Sequence, residues 1–299
     1  MTALRIFSYL PNPRIWKATI AARLCGVEVE VRGAPPSDLA QWLWDFDARP
    51  IASVPAEPLK AAERTGRVGF SNGTLYKTDA FLEAQPFGTV PAAFSPDGRI
   101  GIFESNSIMR AVARLGQDRF PLYGRNAYEA SRIDGFLDAS LIFARDAQHY
   151  LLALRGAVTP ELHARARVSF ETYLFGIEQT LRPRRRFLVG NDVTLADICF
   201  FCELSLFHNE RGRRAALEAA GLPLLLDDGF APTYPLAADH FDRLRTHPAF
   251  LPDVAGYLER SRGCGRSNQP APDVIIPQRP RRDGASATHQ GSIRRRQKR

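Results

Sequence analysis

Apolar residues cluster in Leu4–Tyr9 (LRIFSY), which predicts a first strand. A Pro-Asn-Pro-Arg loop follows, and then Trp16, Ile20, Ala21 and Leu24 recur at helical spacing until Gly26 stops the helix. Val27–Val31 predicts a second strand. The extended stretch GTVPAAF (Gly88–Phe94) predicts the first arm of a hairpin spanning Val90 to Phe103. Directly after Ser105, the positions Ile108, Val112 and Leu115 predict a helix. From Tyr128 onward the period is helical throughout. Tyr128–Leu154 has no interior proline and sets Ile133, Phe136, Leu137, Leu141 and Tyr150 on a core-facing stripe. Thr159-Pro160-Glu161 opens the next helix, Thr as N-cap and Pro in the first turn, and that helix runs to about Leu181. Thr194, with Asp197 three residues later, has the spacing of a capping box in which Asp replaces Glu.

Between these two patterned regions, Gly33 to Thr74 carries no clear period. It holds Trp42, Trp44 and Phe46, then Pro50, Pro55 and Pro58, then a Gly-rich turn. A connection of about forty residues without structure of its own is either disordered or functional. Two readings stand side by side: the WLWDF segment is a lid over a neighbouring site, or it is an aromatic cluster that pins an insertion.

Composition sharpens this outline. A chain of 299 residues with 44% hydrophobic content predicts about two domains and a sizeable core. The start MTALRIFSYLPNP reaches Pro11 before any long apolar run, so no secretory signal is read. The longest apolar stretch, Ile198–Phe207, is interrupted by Glu203 and is too short to span a bilayer. A soluble, cytoplasmic protein is expected, with no membrane association. The formal charge of +8 is concentrated in residues 263–299, where nine Lys/Arg face Asp273 and Asp283. This Pro-, Ser- and Arg-rich tail reads as a disordered basic appendage; it is the one segment open to nucleic-acid contact, although a merely solvated tail is the favoured reading because no aromatic interleaves the arginines. Cys25, Cys199, Cys202 and Cys264 do not suggest a disulfide framework. The Cys199/Cys202 pair lies in the apolar helix ADICFFCEL and reads as core packing. The six histidines lack Cys or carboxylate clustering, so no metal is expected. No dinucleotide or P-loop glycine motif is present either.

The candidate chemistry lies at the hairpin. Val90 precedes Pro91, which biases it to extended backbone; a cis bond there would leave its N–H and C=O free for an extended ligand. Glu104 and Ser105 stand directly before a helix, where free N–H groups and the positive dipole end form a carboxylate site. Together they describe a pocket for a short peptide with an anionic end.

These residues, GTVPAAF with FESNSI nine residues on, resemble the glutathione transferase superfamily. The resemblance implies that Val90 and Pro91 pair with the cysteinyl backbone of glutathione, the co-substrate, and that Glu104 and Ser105 hold its γ-glutamyl end. It implies an α/β thioredoxin-like N-terminal domain over 1–120, with the 33–74 insertion, and an all-α helical C-terminal domain over 125–262. The Thr194/Asp197 box and the YPLAADHFDRLRTHPAF segment are similar to elements of that C-domain. The implied activity is conjugation of glutathione to a hydrophobic, electrophilic acceptor in detoxification, or glutathione-dependent cleavage of an aromatic ether as in a beta-etherase. A homodimer or heterodimer is implied as well. No cysteine lies in SYLPNPRIW, which disfavours the Cys-dependent classes. Asn12 and Ser8 fall where relatives carry the thiol-activating residue, and Tyr9 and Arg14 stay open as alternatives. His149, His208 and Asn209 are candidates to line the acceptor pocket. FESNSI and the phase of W-K-A-T-I-A-A are similar to the elongation-factor-1-gamma subgroup. A non-catalytic interaction module is therefore the alternative, although no second folded domain is read after residue 260.

Overall fold

A computed structural model describes residues 2–65, 73–182 and 185–258. The basic tail and Cys264 lie outside the described residues, as do residues 66–72 of the insertion.

The chain begins with β1 (Leu4–Tyr9), α1 (Pro13–Cys25) and β2 (Val29–Ala34). Gly26 closes α1 at φ 64, a left-handed position suited to glycine. Val27 N–H is spent on Ala22 O in that cap. The second strand therefore starts at Val29, two residues later than the apolar pattern predicts, and runs on to Ala34.

The insertion contributes β3 (Trp42–Trp44), β4 (Arg49–Pro50), α2 (Ala56–Ala61) and β5 (Glu63–Thr65). Then come β6 (Thr74–Lys77), α3 (Asp79–Ala84), β7 (Ala92–Phe94), β8 (Gly101–Phe103) and α4 (Ser105–Leu115). Two four-stranded sheets result, ordered β2-β1-β7-β8 and β4-β3-β6-β5. In the first, β1 and β2 are parallel and β7 and β8 follow antiparallel.

One face of the first sheet, with Leu4, Ile6 and Ala93, joins α1 and α4 in the main core. Its other face, with Phe7, Ala92 and Phe94, is covered by Leu39, Trp44, Ala48, Leu75 and Phe81. Trp44 is 0% exposed and meets Phe7 edge-on at 5.5 Å and Phe81 at 5.8 Å. Its Nε1 donates to Leu39 O at 3.0 Å, and the Lys77 ammonium lies 4.6 Å from the ring centre. WLWDF is thus the core strand of a second sheet and not a lid. The cluster reading holds, because burying two aromatic rings against Phe7 and Phe81 removes far more apolar surface from water than an open flap would.

The described residues that follow are mainly helical: α5 (Ala127–Ala153), α6 (Pro160–Leu181), α7 (Leu195–Phe207), α8 (Arg214–Ala219), α9 (Phe230–Thr233), α10 (Pro235–Arg245) and α11 (Leu251–Val254). Thr159 caps α6 as the Thr-Pro-Glu signal predicts, and Asn126 caps α5. The central α7 is buried along nearly its whole length and packs against α1, α4 and α5. Cys199 and Cys202 are interior residues of this helix, with Cys199 Sγ 3.1 Å from Ser140 Oγ. No helix among the described residues is long and apolar enough to cross a membrane.

Candidate functional site

The paired registers converge on one end of the first sheet. β1 pairs with β7 as Phe7↔Ala92, and β7 pairs with β8 as Ala92↔Phe103. Continued by two residues, both registers set Tyr9 and Ser105 on either side of Val90. Neighbouring strands lie about 4.8 Å apart, so this row spans about 10 Å, the reach of an extended peptide of two to three residues.

The middle of the row is Val90, joined to Pro91 by a cis peptide bond. Its N–H and C=O form no hydrogen bond among the described residues. On one flank lies the start of α4. Glu104, exposed, has φ 66, the one non-glycine residue with positive φ among those described. Such conformations are costly and gather at functional sites. No side chain caps α4. Ile108 N–H closes the first turn on Glu104 O, and the N–H groups of Ser105, Asn106 and Ser107 have no partner among the described residues. By contrast Asn12, Asn126 and Thr159 cap α1, α5 and α6 with their side chains. The α4 terminus therefore offers three free donors, a helix dipole and the Ser105 hydroxyl to an anion.

Behind this terminus Lys17 is buried, 1% exposed. Its Nζ donates to Glu203 Oε1 at 2.6 Å and to Asn106 Oδ1 at 2.7 Å, and it stands 3.4 Å from Ser105 Oγ. Burial pulls the ammonium toward neutrality, and Cys199 and Glu203 more than reverse this, so its pKa is raised. Cys199 is itself pushed up by burial, which makes the Glu203 carboxylate the acting partner at neutral pH. Glu203 is buried too, yet Lys17 and Arg14 hold its pKa below the ordinary carboxylate range. The pair is ionised.

On the other flank the first loop differs from the sequence expectation. Asn12 is the N-cap of α1: its Oδ1 accepts from Arg14 N at 3.0 Å and its Nδ2 donates to Ser8 Oγ at 3.1 Å. Asn12 is 1% exposed and Ser8 0%. Pro13 has no N–H, and Ile15 N–H is bound to Asn12 O. Neither side chain faces the row, and the first turn of α1 has no free donor. The physical reason is the cap itself: Asn between two prolines is consumed by turning the chain into the helix.

Tyr9 is the half-buried residue at this end, and its hydroxyl forms no hydrogen bond among the described residues. Burial raises its pKa against the opposing influence of Arg14 and Arg155, so the phenol stays protonated and able to donate. Arg14 spans to the helical part, donating to Ala144 O at 3.1 Å and to Gln148 Oε1, with Glu203 at 3.6 Å. Arg155 and Arg213 follow the buried Tyr150–Glu210 hydrogen bond of 2.6 Å, which ties the end of α5 to the turn before α8. Sequence reasoning missed Arg155, whose charge acts on Tyr9, because nothing local marks it.

The other candidates are structural. His208 Nδ1 bonds Leu204 O at 2.8 Å and the ring stacks on Phe241. Asn209 Nδ2 donates to Tyr257 Oη at 2.8 Å. His149 is exposed.

Comparison with known proteins agrees with this architecture. Residues 158–248 match the family model of the glutathione S-transferase C-terminal domain. A probable elongation factor 1-gamma 1 of Arabidopsis thaliana is 29% identical over 206 residues, covering 68% of this chain and 41% of the relative. Elongation factor 1-gamma 3 of Oryza sativa subsp. japonica is 36% identical over 154 residues, 49% of this chain and 36% of the relative. The chain thus spans about two fifths of the length of the curated relatives it matches. Among solved structures, the glutathione transferase URE2P8 of Phanerochaete chrysosporium, with oxidized glutathione, superposes with a TM-score of 0.60 at 14% identity, over 87% of this chain and 96% of that one. Residues 158–248 thus match the glutathione S-transferase C-terminal domain, and the described chain has the fold of the glutathione transferases.

Proposed function

We propose that the protein binds glutathione along Tyr9, Val90 and Ser105 and directs its sulfur at a hydrophobic electrophile. The observation that carries this reading is the uncapped first turn of α4, whose free N–H groups and Ser105 hydroxyl suit the γ-glutamyl carboxylate. Exposed Glu104 is available to the ammonium of the same group, and the backbone of Val90 to the cysteinyl unit. This leaves the thiol toward Tyr9. An ordinary thiol has a pKa of about 8.5, and lowering it by two units takes about 2.7 kcal/mol. A protonated Tyr9 hydroxyl donating to the thiolate, with Arg14 and Arg155 adding positive potential, supplies interactions of that order. In this reading Asn12 and Ser8 hold the loop and do not touch sulfur. The thiolate forms a C–S bond as the leaving group departs with its electron pair, and an ether carbon is an acceptor of the same kind. A two-domain division at residues 120–125, a dimeric assembly and a cytoplasmic setting belong to the same proposal.

Two variants test it. Ser105→Ala is expected to weaken glutathione binding about tenfold by calorimetry, the loss of one hydrogen bond to a charged group. Tyr9→Phe is expected to leave that affinity intact and to lower turnover of 1-chloro-2,4-dinitrobenzene about a hundredfold. Unchanged turnover in Tyr9→Phe removes the assignment.

A second reading, a glutathione-transferase-like interaction module, is favoured by one observation: the α1 terminus, spent on Asn12, has no free donor for a thiolate. The elongation-factor relatives fit it as well. Retention on glutathione-agarose without turnover of any model electrophile decides for the module.

A further inference from the structure

Lys17 and Glu203 are the most deeply buried charged pair with no place in the chemistry above, and they stand directly behind the carboxylate pocket. Each belongs to a different part of the fold: Lys17 to α1, under the sheet, and Glu203 to α7, in the helical part. Between them sits Asn106, the second residue of α4. Its Oδ1 accepts from Lys17, and its Nδ2 donates to Leu137 O at 3.0 Å and Ser140 Oγ at 3.2 Å on α5. With Cys199 Sγ on α7 also 3.5 Å from its Oδ1, the side chain at this position is held from three helices while its backbone N–H lies in the uncapped first turn. Ser105 Oγ stands at the long end of hydrogen-bond range from the same ammonium, 3.4 Å. A hydroxyl that accepts from Lys17 keeps its own hydrogen for another acceptor. Lys17 thus biases Ser105 toward donating outward, as an anion requires.

The charge count supports the same role. Lys17 and Arg14 share Glu203 as their one ion-pair partner among the described residues. Two cations to one carboxylate leave a buried excess of positive charge behind a helix N-terminus that no side chain caps. Glu203 Oε2, buried, has no hydrogen-bond partner among the described residues, so the carboxylate is held by charge more than by a full set of donors. A packing role alone is met at lower cost by apolar residues of similar size.

We propose that Lys17, anchored by Glu203, is a positioning residue of the γ-glutamyl carboxylate pocket: it fixes the first turn of α4 through Asn106 and Ser105 and supplies the field that favours an anion there. This rests on the glutathione reading of the site. Lys17 acts through α4 and does not itself touch the ligand.

The test compares glutathione with an analogue whose γ-glutamyl carboxylate is amidated, by calorimetry on the full chain. Wild type is expected to prefer glutathione. Lys17→Met, which leaves Glu203 paired with Arg14 and so removes the excess positive charge, is expected to lower that preference about tenfold and to leave binding of the amide unchanged. If this variant does not fold by near-ultraviolet circular dichroism, Lys17→Gln, whose amide keeps a donor toward Glu203 and Asn106, serves instead. Equal weakening of both ligands means a merely structural role and overturns the proposal. A preference unchanged from wild type overturns it too, while the glutathione reading survives. Wild type that binds neither ligand overturns both.

Discussion

Replacing Asp197 by alanine is expected to cost about 4 kcal/mol of stability, measured by urea unfolding at neutral pH. The carboxylate is 0% exposed and accepts four hydrogen bonds. Oδ1 takes Leu188 N at 2.9 Å and His240 Nε2 at 2.9 Å. Oδ2 takes Thr194 N at 2.8 Å and Thr194 Oγ1 at 2.9 Å. The tautomer of His240 follows from its other nitrogen: Arg243 Nη2 donates to Nδ1 at 2.9 Å, so Nε2 carries the hydrogen that Asp197 accepts. Alanine strands four donors in a buried site and removes the acidic residue from the first turn of α7. Each stranded donor costs about 1–3 kcal/mol, and partial relaxation limits the sum. Because a domain is stable by about 5–15 kcal/mol, the variant stands near the threshold of folding. Asp197→Asn is expected to recover less than half, since its Nδ2 would face donors.

This box was legible because its signal is local: Thr194 and Asp197 are three residues apart and open an apolar run. The same holds for Thr159-Pro160, for Gly26 and for strand Leu4–Tyr9, whose bounds agree with the reading. The second sheet was not legible. Its strands β3, β4 and β5 are two or three residues long, too short for a period of two to register. Its pairing is non-local as well, Leu43 meeting Tyr76. Periodicity also placed Leu115 and Leu141 on buried stripes, whereas they are 58% and 43% exposed. They stand at stripe edges, where a helical pattern cannot tell a neighbouring element from solvent. Around the candidate site, the helix start after Glu104 was readable from its pattern, but the fate of Asn12 was not, since a cap and a free donor are written with the same letter. Lys17 did leave a trace. It stands three, four and seven residues before Ile20, Ala21 and Leu24, a cation on an apolar stripe. Glu203 interrupts Ile198–Phe207 in the same manner. Each breaks its helix pattern, and across 186 residues each explains the other.

Separating that pair is expected to be the second large effect, with a pH signature. Glu203→Ala should cost about 3–5 kcal/mol at neutral pH, because it leaves the Lys17 ammonium buried without its carboxylate. In wild type the Glu203 pKa is lowered, so its contribution is present above the unfolded value of about 4.3 and lost as pH falls through the folded one. The Lys17 pKa is raised, so its contribution is present below the unfolded value of about 10.4 and lost as pH rises through the folded one. Between about pH 5 and 10 this pair therefore adds no slope to wild-type stability. Without Glu203, burial, the largest influence on Lys17, outweighs what remains and drives its folded pKa below the unfolded one. The unfolded chain then binds the proton that the native state has released, and stability rises with pH by up to about 1.4 kcal/mol per unit. Urea unfolding at pH 6, 7.5 and 9 should show the gap between wild type and variant narrowing as pH rises. A constant gap would mean that Lys17 keeps its charge with Asn106 and Ser105 alone, and that the carboxylate is not what holds the ammonium behind the α4 terminus.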